Sequence, residues 1–310
     1  MLYYMNNCWF KQYFIKEKSA LGPYVSSQRI QHFSHLGKSF SYIDTLHGSE
    51  ILLFIHGNPT SKEIWFPIIQ EISSNARCIA IDLFDENPES PYLPSLNESS
   101  ELMIKFLEYL KISETNLVTH DWGVTVGLKI LAKKPEMVSK FIFMEGLFYP
   151  VNLKHYFFVP WFLAMLGKTP FLNHVLLVHL NIFVRWLIPM GCITKLPQSW
   201  YKFFLGVYQN RQRREGIKNW ISQIPTFSNS QELDFLRQNF YESPKPKLAF
   251  IVTPGLAMKK KTVLEIKMNC RHLSVKDLGN GIHFIPLDYP AEIAREILRF
   301  FECSSHGPRK

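Results

Sequence analysis

Thr119-His120-Asp121-Trp122-Gly123 stands between an apolar run, Asn116-Leu117-Val118, and a helical pattern that begins at Val124. The spacing presents an aspartate on a turn from strand to helix. A reactive side chain on a strained turn of this kind stands above the sheet, and the amide that follows it helps to form an oxyanion hole. With Asp121 in that slot the nucleophile is a carboxylate. It attacks saturated carbon or an epoxide to give an ester, which a base-activated water must then cleave. An aspartate before a helix also serves as a plain N-cap, so the rest of the chain has to decide between the two.

Upstream, Glu50-Ile51-Leu52-Leu53-Phe54-Ile55 is a nearly continuous apolar run, the pattern of a strand buried on both faces. It ends in His56-Gly57-Asn58-Pro59, a turn able to aim backbone amides at an anion. Gly57 allows close backbone approach, Pro59 fixes the exit direction, and Asn58 adds a side-chain amide donor where an anion leaves. Downstream, Leu278-Gly279-Asn280-Gly281-Ile282-His283 puts a histidine on a Gly-rich loop between a strand-like and a helical stretch. The acid follows by elimination. Glu145 stands at the end of the apolar run Val138–Met144, whereas the run 247–252 leads into Thr253-Pro254-Gly255-Leu256-Ala257-Met258, which has no acid. Along the chain the order is nucleophile, acid, histidine, the order that accompanies a nucleophile on a strand-to-helix turn of this kind. Taken singly, the turn is as well explained as an ordinary strand-loop turn, and the histidine and the carboxylate are better explained as a solvated loop residue and a solvated strand-end acid.

The ordered set resembles the haloalkane dehalogenase branch of the α/β-hydrolases, in the subgroup whose acid follows the strand after the nucleophile and which includes the sea pansy coelenterazine luciferase. The stretches that carry the resemblance are Phe54–Ser61 with Trp65, His120-Asp121-Trp122-Gly123, Met144-Glu145, Thr253-Pro254-Gly255, and Gly281-Ile282-His283-Phe284 with Asp288 and Pro290. The resemblance implies that Asp121 attacks a halogen-bearing carbon, and that Asn58 and the indole N–H of Trp122 hold the departing halide. It implies further that Glu145 holds His283 as the base for water, and that the amides of Asn58 and Trp122 form the oxyanion hole. Water and a small hydrophobic substrate are the implied partners; no metal or other cofactor is implied, and no Cys/His spacing suggests a metal. The chain departs from the family at Thr119, where glycine is preferred and a threonine is expected to widen the turn or displace the helix. It also departs in the glycine-poor loop at 84–91 and in the apolar Ile285-Pro286-Leu287 after His283.

Alternating strand and helix patterns predict an α/β fold with a mainly parallel central sheet, helices on both faces and an inserted helical cap. The core is expected at 36–147 and 244–310, the cap at 148–243 and an N-terminal arm at 1–35. A chain of 310 residues with 46% hydrophobic content suits a globular core carrying an insertion. From Phe157 to Met190 the only charges are Lys168 and Arg185. That stretch reads as an apolar cap over a hydrophobic pocket, with peripheral membrane contact as the competing reading. The formal charge of +9 is spread along the chain, with clusters at Arg211-Gln212-Arg213-Arg214 and Lys259-Lys260-Lys261. They read as solvated faces, and without a nucleic-acid motif they imply no nucleic-acid partner. Five scattered Cys give neither a disulfide framework nor a redox pair. The first residues lack a basic region followed by a long apolar one, so a reducing, cytoplasmic location is expected.

Three alternatives remain beside haloalkane cleavage. Epoxide hydrolysis shares the Asp nucleophile and His base but needs cap tyrosines, for which Tyr149, Tyr156, Tyr201 and Tyr208 are available. A luciferase-like oxygenase or a ligand-binding member without turnover would use the same scaffold.

Overall fold

The run Glu50–Ile55 forms strand β3, and its residues Leu52, Leu53, Phe54 and Ile55 are all fully buried. Continuous apolar sequence of this kind marks a strand covered on both faces. The computed structural model describes residues 30–85, 87, 94–152, 158–226 and 230–305. The arm through residue 29, Tyr156 and most of the loop at 84–91 lie outside the described residues.

In chain order the core opens with β1 (Gln31–His35), β2 (Lys38–Asp44), β3, α1 (Phe66–Ile72), β4 (Ala76–Ile81), α2 (Leu96–Tyr109), β5 (Thr115–His120), α3 (Trp122–Lys133) and β6 (Val138–Met144). An insertion follows whose described elements are all helical. It contains α4 (Phe158–Gly167), α5 (Pro170–Asn173), wide turns at His174–His179 and Phe183–Leu187, α6 (Ile188–Met190), α7 (Gln198–Val207) and α8 (Arg211–Ser222). The chain returns to the core through α9 (Gln231–Glu242), β7 (Lys247–Pro254), α10 (Lys260–Asn269), β8 (Leu273–Gly281), α11 (Ile285–Asp288) and α12 (Pro290–Ser305).

The described strands form one sheet in the order β1-β2-β4-β3-β5-β6-β7-β8. From β4 to β8 all neighbours are parallel, while β2 runs against both β1 and β4. The sheet therefore begins at Gln31, inside the stretch expected to be an arm. Its edge strand buries only Phe33, which is why no alternation is visible in its sequence.

Strand order fixes where the helices go. The step from β3 to β4 runs one way across the sheet and the steps from β4 to β5 and β5 to β6 run the other, so right-handed crossovers put α1 on one face and α2 and α3 on the opposite face. α12 joins α1, and α9 joins α2 and α3. The order reverses beside β3, and ligands bind outside the carboxyl ends of strands at such a switch point. β3 and β5 are adjacent there, with Ile55 opposite Thr119, so the turns after them meet.

The cluster Arg211–Arg214 is not one solvated face. Arg211 is exposed, but Arg213 and Arg214 are buried. Arg213 donates to the carbonyls of Val207 and Asp85 and lies over the Phe84 ring, and Arg214 donates to Val178, Tyr208 and Gln209. A guanidinium can be buried where carbonyls accept from its terminal N–H groups, because those bonds offset the loss of water.

Candidate active site

Asp121 sits between β5 and α3 with φ 54° and ψ −123°. Positive φ is costly for a non-glycine residue and persists only where the surroundings impose it. The side chain makes no capping bond to α3. Its Oδ2 accepts instead from the Asn58 amide at 2.8 Å, which disposes of the simple N-cap reading. Burial raises the Asp121 pKa above the ordinary carboxylate value, opposed by His283 and by the amides of Trp122 and Asn58.

Two glycines make this approach possible. A Cβ on Gly57 would lie 2.3 Å from Asp121 Oδ2, and one on Gly123 would lie 2.2 Å from the Ile55 carbonyl oxygen. A third, Gly127, answers the question raised by Thr119. The Thr119 hydroxyl donates to the Ile142 carbonyl at 2.9 Å, and a Cβ on Gly127 would stand 3.0 Å from the Thr119 methyl. The bulk on the strand is thus matched by a missing side chain on the helix, and Asp121 holds its strained conformation.

The turn after β3 is held from beneath by His56. Its Nδ1–H donates to the Gly57 carbonyl, and its Nε2 accepts from the Leu83 amide at 3.0 Å. Burial lowers the His56 pKa and outweighs the nearby Asp82 carboxylate, so the ring is a neutral brace. Asn58 is buried, and its side-chain Nδ2 has no hydrogen-bond partner among the described residues. A buried donor left unpaired is unusual and costly.

His283 follows β8 and lies between two carboxylates. Its Nδ1 is 3.3 Å from Glu145 Oε2, and its Nε2 is 3.7 Å from Asp121 Oδ1. The second distance is too long for a hydrogen bond, and it leaves Nε2 directed toward the nucleophile. Burial opposes charging of the ring, yet the hydrogen bond with Glu145 and the charges of Asp121 and Glu145 prevail, and its pKa is raised. Glu145, at φ 50°, is anchored from the β7 side, where the amides of Leu256 and Ala257 each donate to Oε2 at 2.8 Å. The acid-free loop after β7 therefore serves the acid from β6. Gly255, at φ 70°, keeps that loop clear, since a Cβ there would meet the Met258 carbonyl oxygen at 2.4 Å and Glu145 Oε1 at 3.0 Å.

These groups open into a small cavity of about 50 Å³ lined by Asn58, Asp121, Trp122 and His283 from the core loops, with Leu147, Val151, Leu256 and Ala257 beside them. The insertion supplies Pro160, Leu163, Phe183, Leu187, Ile221 and Ile224. No tyrosine lines it among the described residues. The Tyr149 hydroxyl meets that of Tyr241, Tyr201 donates to the Arg185 carbonyl and Tyr208 donates to the Thr60 carbonyl.

A family model described as alpha/beta hydrolase fold matches residues 50–290. The chain belongs to the α/β-hydrolase family. Among curated relatives it is 24% identical to a haloalkane dehalogenase of Mesorhizobium japonicum over 89% of this chain and 92% of that protein. It is 26% identical to one of Agrobacterium fabrum over 80% of this chain and 84% of that one. Among solved structures, the haloalkane dehalogenase DatA of Agrobacterium tumefaciens superposes with a TM-score of 0.81 at 20% identity, covering 92% of this chain and 99% of that chain. The dehalogenase DbeA of Bradyrhizobium elkani gives 0.79 at 22%, covering 89% and 99%.

Within this hydrolase, Asp121, His283, Glu145, Asn58 and Trp122 meet at the carboxyl ends of β3, β5, β6 and β8. Two residues beside them escaped sequence reasoning. His120 donates from Nε2 to the His283 carbonyl at 2.9 Å, and its ring lies 4.8 Å from that of His283. Burial, and then His283, push its pKa well below the ordinary histidine value, so it supports the base loop as a neutral donor. Gly191, from the insertion, accepts from the amides of both His283 and Phe284 at 2.9 Å. Neither partnership has a local sequence signal.

If Glu145 orients His283, Glu145→Gln is expected to preserve the fold and lower turnover by at least about a hundredfold, within the range that positioned acid–base catalysis supplies. Asp277→Asn should change little, because Asp277 pairs with Lys260 far from the ring. Steady-state rates beside thermal unfolding check this. Equal rates for Glu145→Gln and the parent would move the orienting acid elsewhere.

Proposed function

We propose that the protein is a haloalkane dehalogenase-like hydrolase working through an ester on Asp121, with the helices between β6 and β7 acting as a cap over a small hydrophobic substrate. The observation that carries the reading is the unpaired, buried Asn58 Nδ2, on a residue whose backbone amide bonds the Asp121 carboxylate, in a cavity lined mainly by apolar side chains. A donor held ready where negative charge develops stabilises a transition state without reorganisation.

In the first step an Asp121 oxygen forms a bond to the halogen-bearing carbon, and the carbon–halogen bond breaks with its electron pair leaving on the halide. Asn58 Nδ2 and the Trp122 indole N–H receive that ion. In the second step His283 Nε2 takes a proton from water, whose oxygen attacks the ester carbonyl. The amides of Asn58 and Trp122 hold the oxyanion, and collapse expels the alcohol with the proton returned from His283. The two steps ask opposite things of the charges. Ionised Asp121 holds the His283 pKa up; once esterified it is neutral, and the ring is released from that charge to serve as a base.

Epoxide hydrolysis is less well supported, since the described cap tyrosines spend their hydroxyls elsewhere, and a cavity of about 50 Å³ gives no support to a bulky luciferin-like substrate. Incubation with a panel of small bromo- and chloroalkanes, run beside epoxides and coelenterazine, is expected to release halide and yield neither diol nor light. Diol from an epoxide with no halide from any haloalkane would replace this reading with the runner-up.

A further inference from the structure

Between Glu145 and Glu215 the chain contains no acidic residue at all, while Lys and Arg recur throughout. Of these cations Lys168, Arg185, Lys195, Lys202 and Arg211 are exposed, and none is in an ion pair among the described residues. The same segment carries large apolar side chains in water, among them Phe171 at 82% exposure, Trp186 at 67%, Met190 at 66% and Phe158 at 61%. They fall at helical spacing. Phe158, Phe162 and Met165 form the outer stripe of α4, whose other side gives Pro160 and Leu163 to the cavity. Trp186, Met190 and Ile193 repeat the same interval further on.

The geometry points to the outer face of this helical insertion as a docking surface for an anionic lipid bilayer. Scattered single apolar residues on a surface are ordinary, but contiguous helices that expose aromatic and aliphatic tips among cations have the make-up of an interfacial element. Aromatic rings favour the headgroup level, and basic side chains beside them add attraction to anionic lipid. A second copy of the chain is the poorer occupant, because a two-fold contact would set the exposed cations of this segment against one another. Contact would lie along the surface, not across it. Among the described residues no single helix is long and apolar enough to cross a membrane; α4 and the stretch Pro170–His179 pass together only as a pair bent by 112°. This surface is independent of the chemistry at Asp121.

Flotation of the full-length protein with vesicles of phosphatidylcholine alone, or of phosphatidylcholine with phosphatidylglycerol, tests the assignment. Partition is expected to be at least about tenfold stronger on the anionic vesicles and to collapse at roughly 1 M salt, where the Debye length is ~3 Å. Each of Lys168→Gln, Arg185→Gln and Lys195→Gln should weaken it about fivefold, equivalent to about 1 kcal/mol per basic residue at an anionic surface. Phe171→Gln and Trp186→Gln, neither of which lines the cavity, should reduce binding while thermal unfolding stays put. Acyl-brominated lipid should quench the parent fluorescence more than that of Trp186→Phe. Equal partition on both vesicle types, indifference to the Gln substitutions, or sedimentation of a dimer that Trp186→Gln dissociates would each overturn the proposal.

Discussion

His283→Phe is expected to turn the protein into a single-use acceptor of alkyl groups. The first displacement needs the Asp121 carboxylate and the halide donors but no base, and the Asn58 amide at 2.8 Å holds that carboxylate without help from the imidazole. The second step has no base once the ring nitrogen is gone, so the ester on Asp121 persists. Intact mass after exposure to a reactive haloalkane should rise by one alkyl group, and peptide mapping should place it on Asp121. Halide should appear as a burst of one equivalent and then stop. The steady rate should fall by about 10²–10⁴, the range for loss of a positioned acid–base group. Phenylalanine fits the site, because Phe284 and His120 already face the ring with centroids 4.8 Å away. Unmodified Asp121 together with unimpaired turnover would remove the covalent mechanism.

Much of this site could be read before the fold was seen, and the physical reason is the parallel sheet. Strands buried on both faces leave continuous apolar runs such as Leu52–Ile55 and Phe141–Met144, and whatever follows each run emerges at the same edge. Asn58, Asp121 and Glu145 each lie close after the end of such a run, so chain order alone brings them together. The expected trouble at Thr119 did not anticipate its remedy, since Gly127 lies a helical turn and more away and reads as a plain helical glycine until the strand beneath it is known.

What stayed hidden was either weakly amphipathic or non-local. α10 buries only Thr262, Val263 and Ile266 and opens on lysines, so its sequence looks like a solvated loop. The bond from His120 to the His283 carbonyl spans the whole core, and nothing near either residue announces it. Arg213 and Arg214 look like surface charge because burial of a guanidinium depends on carbonyls from the turn at Val207–Gln209 and from Val178, which only the folded insertion assembles. In each case local composition was a poor guide because the satisfying partner comes from another element.

Asn58→Ala and Trp122→Phe are each expected to abolish most halide release while sparing the second step, and this separates a halide-leaving reaction from ring opening of an epoxide. A departing halide needs donors that converge in a desolvated pocket, whereas an epoxide oxygen stays on the substrate and needs a proton from the cap. Removing one aimed donor costs about 2.7–4 kcal/mol, or about 10²–10³ in kcat. The two changes are mild elsewhere. Asn58→Ala keeps the backbone amide that bonds Asp121, and Trp122→Phe keeps an aromatic ring against Trp220, whose centroid lies 5.9 Å away. Hydrolysis of an ester preformed on Asp121 should therefore run at close to the parent rate in both variants, so the loss will sit in the displacement alone. Chloride or bromide should quench the fluorescence of Trp122 in the parent protein and do so much less in Asn58→Ala. Were halide to leave fluorescence untouched, with both variants matching the parent on haloalkanes, the cavity would have no halide site, and Asn58 Nδ2 would need another partner to explain its burial.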